Sequence, residues 1–373
     1  MGGIAAGIAA ASGALVWPRL RKPPLGMDIP PALVERGAAL VREHPVVDVH
    51  AHPGRSFLAG AEPDNLLLRF LRDGFEAERL RDMQAAGVTG GLLALVADFA
   101  VLGFAQGGLT VTRELAPGEA WRDFHRQLAR VRGLVEDGTL PLALGPDDLR
   151  AAHAAGTPAL LLASEGADFL EGRAERVAEA HAAGMRAITL VHYRVNELGD
   201  AQTSPPVHGG LTPFGQAIVR DMNRLGMIID VAHASFATVR DVVAASAAPV
   251  LLSHSNLDTG AASSPRFITR EHALTVTEAG GVIGAWPAGI GSESLADFTE
   301  QVLALVNAVG AEHVAIGSDL DANYRPVITD YADFPLLAAA LLHRGLPEPD
   351  VARVLGGNFL RLFEDVSARS HGA

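Results

Sequence analysis

From residue 33 onward, short apolar runs alternate with longer amphipathic stretches. The runs are VVDVH (46–50), VTGGLLALV (88–96), ALLLASE (159–165), AITLVH (187–192), MIIDVAH (227–233), PVLLSH (249–254), GVIGAW (281–286) and HVAIGSD (313–319). Near-continuous apolar runs of this length predict strands buried on both faces, as in a parallel sheet. The segments between them read as helices, for example FGQAIVRDMNRLG (214–226), SFATVRDVVAASA (235–247) and LADFTEQVLALVNAVG (295–310). Eight strand-then-helix units predict a closed (β/α)8 barrel. The long span 97–158 reads as a helical excursion plus loop. The stretch 194–213, with Pro205, Pro206, Gly209 and Gly210, reads as a long loop over the barrel mouth.

The polar residues gather at the ends of these runs. The first ends in His50, with His52 two residues on; the third ends in Glu165, the fourth in His192, the fifth in His233, the sixth in His254 and the eighth in Asp319. The C-terminal ends of barrel strands converge on one mouth, where active sites form. Five histidines and two carboxylates are therefore expected in one cleft, a donor set suited to zinc. Residues two apart in a strand share a face, so His50 and His52 can reach one metal. His233 and His254 each end an apolar strand, where a desolvated imidazole is costly without a partner. Beside them Glu165 reads as a bridging carboxylate, although Ser164-Glu165-Gly166-Ala167 taken alone resembles a turn that caps the next helix. His192 fits either a ligand or a substrate contact. Asp48 either orients a ligand from deeper in the barrel or is an ordinary strand-start residue. Asp319 is better placed as a general base than Asp321, which fits a cap on the following loop. The other nine histidines read as surface or packing residues, with His208 the one whose loop could overhang the site.

Composition narrows the chemistry. The 373 residues suit one barrel domain, which typically takes ~250 residues and tolerates long insertions. There is no cysteine, which excludes disulfides, thiolate ligands and cysteine nucleophiles. Lys22 is the single lysine, and it is expected ahead of the folded region, so a lysine-bridged metal pair is disfavoured. Any metal must be held by His, Asp or Glu. The formal charge of −13 disfavours nucleic acid as a partner. Residues 3–17 are small and apolar and precede a basic cluster at Arg19, Arg21 and Lys22. Fifteen residues is short of the ~20 that a spanning helix needs, and the charge follows the apolar run rather than preceding it as in an export signal. Residues 1–24 are therefore set apart as an apolar and basic segment, an anchor or export remnant or simply a tail. Residues 25–373 are expected to form the catalytic barrel domain, and the location is cytoplasmic, membrane-associated or exported accordingly.

At this point the chain resembles the membrane dipeptidase (renal dipeptidase) family of zinc metallopeptidases, over most of residues 40–366. The most specific stretch is 211–256, two histidine-bearing strands around one helix. Glu165-Gly166-Ala167 with Gly184-Met185-Arg186, then Gly317-Ser318-Asp319-Leu320-Asp321, and Gly357-Asn358-Phe359-Leu360-Arg361-Leu362-Phe363 match further family elements. The resemblance implies a metal-dependent hydrolase with two zinc ions. His50 and His52 would hold one ion, His233 and His254 the other, and Glu165 would bridge them. It further implies that His192 contacts the substrate carbonyl, that Asp319 moves protons, and that Arg266, with Arg270 as the alternative, holds a terminal carboxylate. The family usually carries His-x-Asp at the first strand, where this chain has His50-Ala51-His52; an imidazole there removes one negative charge.

The function so implied is hydrolysis of the amide bond of a dipeptide or similar small amide, with a homodimer as the expected assembly. Lactone or non-peptide amide hydrolysis is the nearest rival, because fold does not settle substrate. A non-catalytic binding protein on a degenerate barrel is the rival from another class.

Overall fold

The computed structural model describes residues 22–61, 71–105, 108–262 and 264–369. Its strands are β1 (Val47–Ala51), β2 (Gly90–Val96), β3 (Leu102–Ala105), β4 (Gly108–Val111), β5 (Ala159–Glu165), β6 (Met185–Thr189), β7 (Ile228–Asp230), β8 (Leu251–Ser255), β9 (Val282–Ala285) and β10 (Val314–Ile316). Eight of them close into a barrel in the order β1-β10-β9-β8-β7-β6-β5-β2, each pair parallel. These are the eight predicted strands. All their residues are buried except the half-buried Arg186, which is why the runs are apolar without strict alternation. Alternation survives in the packing. Val47, Val49, Leu92, Ala94, Leu161 and Ala163 belong to one buried cluster. Their neighbours Leu93, Leu95, Leu160 and Leu162 belong to the larger cluster shared with the helices, as the two-residue period of a strand requires.

Local chemistry sets the helix boundaries. The helix Pro213–Leu225 opens with Thr212, whose side chain accepts from the Gly215 N–H, has proline in its first turn, and closes on Gly226 at φ 66°. Its buried stripe is Ile218, Val219 and Met222. This is the usual pairing of a hydroxyl N-cap and proline at the start with a left-handed glycine at the end. Ser235 caps Phe236–Ala245 in the same way, only two residues after His233, so the chain leaves β7 and enters a helix at once. Ser294 and Asp297 form a capping box on Leu295–Val309.

One span differs from expectation and another is firmer than a bare loop. Within 97–158 the chain forms the antiparallel β3–β4 hairpin before the helices Glu119–Glu136 and Pro146–Ala155. Four-residue strands containing glycine carry too little periodic signal to be read from sequence. The loop 194–213 is tied down rather than loose. Gly199 bridges Leu211 and Ala201 bridges Ala234, and the buried Asp200 carboxylate accepts from the backbone of Val207, His208 and Gly210. Lys22 sits on the fold rather than ahead of it: its Nζ pairs with Asp333 at 2.5 Å, and the carbonyls of Pro24 and Leu25 accept from Leu295 and Ala296. Residues 3–17, and His371, lie outside the described residues. No described helix is long and apolar enough to cross a membrane.

The barrel closes tightly at β8. A Cβ added at Gly284 on β9 would stand 1.8 Å from the Ser253 carbonyl oxygen, and one at Gly317 2.0 Å from the same atom. Backbone cannot yield as a side-chain tip can. Gly284→Ala is expected to lower unfolding stability by about 1–3 kcal/mol, the usual range for overpacking a dense core. Urea denaturation checks this, and an unshifted midpoint would show that the barrel wall relaxes freely there.

Candidate metal centre

The strand ends bring the predicted residues together around one carboxylate. Glu165, the last residue of β5, is 4% exposed. Its Oε1 lies 3.4 Å from His50 Nε2, 2.9 Å from His233 Nε2 and 3.4 Å from His254 Nε2. Its Oε2 lies 3.4 Å from His52 Nε2 and 3.3 Å from His192 Nε2. The helix-cap alternative for Glu165 falls away, because the turn that follows, Asp168–Leu170, has no side-chain cap. Gly166, at φ 87°, makes the approach possible: a Cβ there would stand 3.3 Å from that of His192.

Buried acceptors behind the rings fix the direction each imidazole presents. His52 Nδ1 lies 2.9 Å from the Ala94 carbonyl oxygen. His192 Nδ1 lies 2.7 Å from Asp98 Oδ1. The Ser253 hydroxyl donates to Asp230 at 2.6 Å, so its oxygen is left to accept from His254 Nδ1 at 3.0 Å and His50 Nδ1 at 3.3 Å. Asp230 also takes the Thr189 hydroxyl and the backbone N–H groups of Ala232 and Ser253. With Nδ1 occupied, the Nε2 atoms of four rings point at Glu165. Outer acceptors of this kind orient metal-binding histidines. Sequence reasoning passed over Asp98, Asp230 and Ser253.

The electrostatics follow from burial and crowding. Burial alone would raise the Glu165 pKa, yet the imidazoles of His192 and His50 and the hydrogen bond to His233 hold it well below the usual carboxylate range. Burial opposes protonation of His52, but the Asp319 and Glu165 carboxylates outweigh it and push the pKa up to about 10. His192 is raised against its burial by Asp98 and Glu165. Burial, then Arg266 and His192, holds His233 well below the normal imidazole value. Burial, then His50 and Arg266, does the same for His254.

The remaining predicted residues take distinct places. Asp319 Oδ1 lies 3.4 Å from His52 Nε2, and its Oδ2 accepts from Trp286 Nε1 at 3.2 Å. Asp321 is no simple cap: it accepts from the Gly54 N–H and is paired with Arg79 at 2.8 Å. Asp48 acts on backbone, accepting from the N–H groups of His50 and Ser318 and from the Ser318 hydroxyl; burial pushes its pKa up to about 6. His208 Nε2 lies 3.1 Å from the Asn196 carbonyl oxygen, so its ring packs within its own loop. Arg266 is buried and lines the same cavity as Glu165, His192 and Asp319, whereas Arg270 is exposed at a helix start. The Arg266 guanidinium donates to neutral acceptors, the Gln202 side-chain oxygen and the His254 carbonyl, each at 3.2 Å.

Two groups could hold a cation: His50, His52 and Glu165, and Glu165, His192 and His233. Within each group the ligand atoms lie within 4.8 Å of one another. His254 joins the second, with its Nε2 3.0 Å from that of His233. His50 Nε2 is buried with no hydrogen-bond partner, a cost of about 1–3 kcal/mol that a cation would relieve. Neutral imidazole nitrogens around one carboxylate are a donor set that fits zinc.

A profile described as membrane dipeptidase (peptidase family M19) matches residues 34–373. Among curated proteins, dipeptidase aclJ of Aspergillus oryzae is 35% identical over 57% of this chain and 53% of its own length. Dipeptidase tcpJ of Claviceps purpurea is 31% identical over 67% of this chain and 62% of its own. The chain thus spans between about half and two thirds of the length of these relatives. A solved metallopeptidase from Rhodobacter sphaeroides, liganded with a phosphinate mimic of the dipeptide L-Ala-D-Ala, superposes with a TM-score of 0.73 at 22% identity, over 87% of this chain and 99% of that one. At that identity the superposition speaks for the fold alone. The profile match covers nearly the whole chain, including every residue gathered around Glu165, and the chain therefore belongs to the membrane dipeptidase family, peptidase family M19.

Proposed function

We propose that this chain is a dipeptidase that hydrolyses the amide bond of dipeptides or similar small amides at a centre of two zinc ions. The observation that carries the reading is the convergence of five imidazoles on buried Glu165, with buried Arg266 lining the same cavity. The family, the dipeptidase names of its relatives, and the dipeptide mimic bound by the Rhodobacter sphaeroides protein support it.

In this reading His50 and His52 would hold one ion, His233 and His254 the other, and Glu165 would serve both. Zinc bound there would polarise the scissile carbonyl and lower the pKa of a water molecule toward ~7. The chain's own groups supply the rest. Arg266, a buried cation with neutral partners, offers its free N–H groups to the substrate carboxylate, a charge-assisted pairing. Asp98 favours the doubly protonated form of His192, whose Nε2–H then faces the oxygen on which charge develops. Asp319, held by Trp286, takes the proton of the attacking water and passes it to the leaving amine.

The parent protein is expected to bind two equivalents of zinc. Glu165→Gln keeps the size but removes the charge between the cations, and should lose at least one equivalent by elemental analysis; unchanged content at both positions would refute bridging. His52→Ala should lose one ion and most activity. His52→Asp should keep the ion and measurable dipeptidase activity, with a shifted metal preference. If His52→Ala binds two equivalents as tightly as the parent, His52 is no ligand. Asp98→Asn leaves His192 without its anionic partner, and kcat should fall on the order of 10–100-fold with zinc content unchanged; an unaltered kcat would remove His192 from the oxyanion role.

A further inference from the structure

The cavity over the barrel mouth, about 560 Å³, has two unlike walls, beside a charged margin in which Arg72 pairs with Glu78 and Arg79 with Asp321. One carries Arg266 and Trp286, with the guanidinium 5.5 Å from the indole ring centre. The other is apolar: Phe57 from the turn after β1, Val96 and Phe99 from the end of β2 and beyond it, and Leu102, Phe104 and Leu109 from the β3–β4 hairpin. These six belong to a hydrophobic cluster separate from the barrel core. It begins at the histidines, because the Phe57 ring meets that of His52 at 5.3 Å and that of Phe99 at 5.2 Å. Phe104 and Leu109 stay half-buried, so the wall faces the cavity instead of closing on itself.

Ring order sets the walls opposite one another. In the barrel β2 and β8 are four strands apart in either direction, directly across the mouth. Arg266 is tied to the end of β8 through the His254 carbonyl and the Ser255 hydroxyl, and the apolar wall grows from the end of β2. Glu165, on β5 beside β2, lies between them. An extended dipeptide spans about 7 Å. With its carboxylate on Arg266 and its amide at Glu165, its first residue would extend toward the β2 side, where the apolar wall stands.

We infer that the wall built by the turn after β1 and the β3–β4 hairpin receives the side chain of the substrate's first residue and selects a large aliphatic or aromatic one; the inference rests on the dipeptide reading above. A charged side chain there would lose water and meet no ionic partner among the six wall residues. Each buried methylene strengthens binding about fourfold, so leucine or phenylalanine in place of alanine should gain on the order of tenfold to fiftyfold.

The test is calorimetric titration of Ala-Ala, Leu-Ala, Phe-Ala, Lys-Ala and Asp-Ala into zinc-loaded Asp319→Asn protein, alongside kcat/KM of the parent on the same peptides. Leu-Ala and Phe-Ala should bind at least tenfold tighter than Ala-Ala, and Lys-Ala and Asp-Ala more weakly than it. Phe104→Ala and Leu109→Ala should each shrink the Phe-Ala to Ala-Ala ratio severalfold. Equal affinities, or no binding at all, overturn the wall's role, and an intact ratio in both variants overturns its assignment to the hairpin. Graded binding without turnover by the parent sinks the hydrolytic reading while upholding the wall. Turnover that ignores the first side chain does the reverse.

Discussion

Everything at the barrel mouth is arranged around a carboxylate that has been taken out of water. Glu165 is 4% exposed, and five imidazole nitrogens stand 2.9 to 3.4 Å from its oxygens. A neutral imidazole has one N–H, and in four of these rings the Nδ1 faces a fixed acceptor. The nitrogen turned toward Glu165 then presents a lone pair to a lone pair, which is repulsive unless a proton or a cation lies between. His52 and His192, with raised pKa values, meet the demand with protons. His254, held neutral with its Nδ1 facing Ser253, supplies none. The Nε2 lone pair so left beside Glu165 is one that a cation can take up.

That demand reaches into the backbone. His233, Asp319 and Asp321 are not glycines, yet they adopt φ values of 63°, 54° and 74°, a region that costs side-chain-bearing residues on the order of 1 kcal/mol or more each. All three sit where a strand ends and the chain must turn a side chain toward the mouth. Neighbours hold them there. The His233 carbonyl accepts from Gln202 at 2.6 Å, and the Asp319 N–H donates to the His50 carbonyl at 2.8 Å. The loop 194–213 therefore supports the strain at β7 by bracing it from above.

Much of this was legible from sequence, for a physical reason. A polar residue ending an apolar run has few destinations in a closed barrel, so His50, His52, Glu165, His192, His233, His254 and Asp319 could be placed before any coordinates. Asp230 and Ser253 carried a weaker signal of the same kind. They interrupt MIIDVAH and PVLLSH from inside, and a polar group within a buried strand must be hydrogen-bonded. What sequence could not show is that the two bond each other and that one hydroxyl serves two imidazoles. Asp98 lies just past the VTGGLLALV run and was hidden by a span read as excursion and loop. The hairpin after it was hidden too, although it supplies half of the apolar wall.

The departure at His52 reads differently once Asp319 is located. Relative to the usual His-x-Asp, the imidazole removes a negative charge from the proposed ligand set, leaving Glu165 as its one anion against two divalent cations. Asp319 lies 3.4 Å from His52 Nε2, within the range where an anion still offsets much of a neighbouring positive charge. An anion therefore stands beside His52 all the same, on the group proposed above to carry a proton during turnover. A carboxylate drawn toward a cation is a weaker base, so in the proposed reading charge compensation and proton transfer would compete for the same side chain. Trp286, donating to Asp319 Oδ2 at 3.2 Å, fixes where that carboxylate stands. In that reading an imidazole in place of the family's usual carboxylate would be felt at Asp319 as much as at the metal.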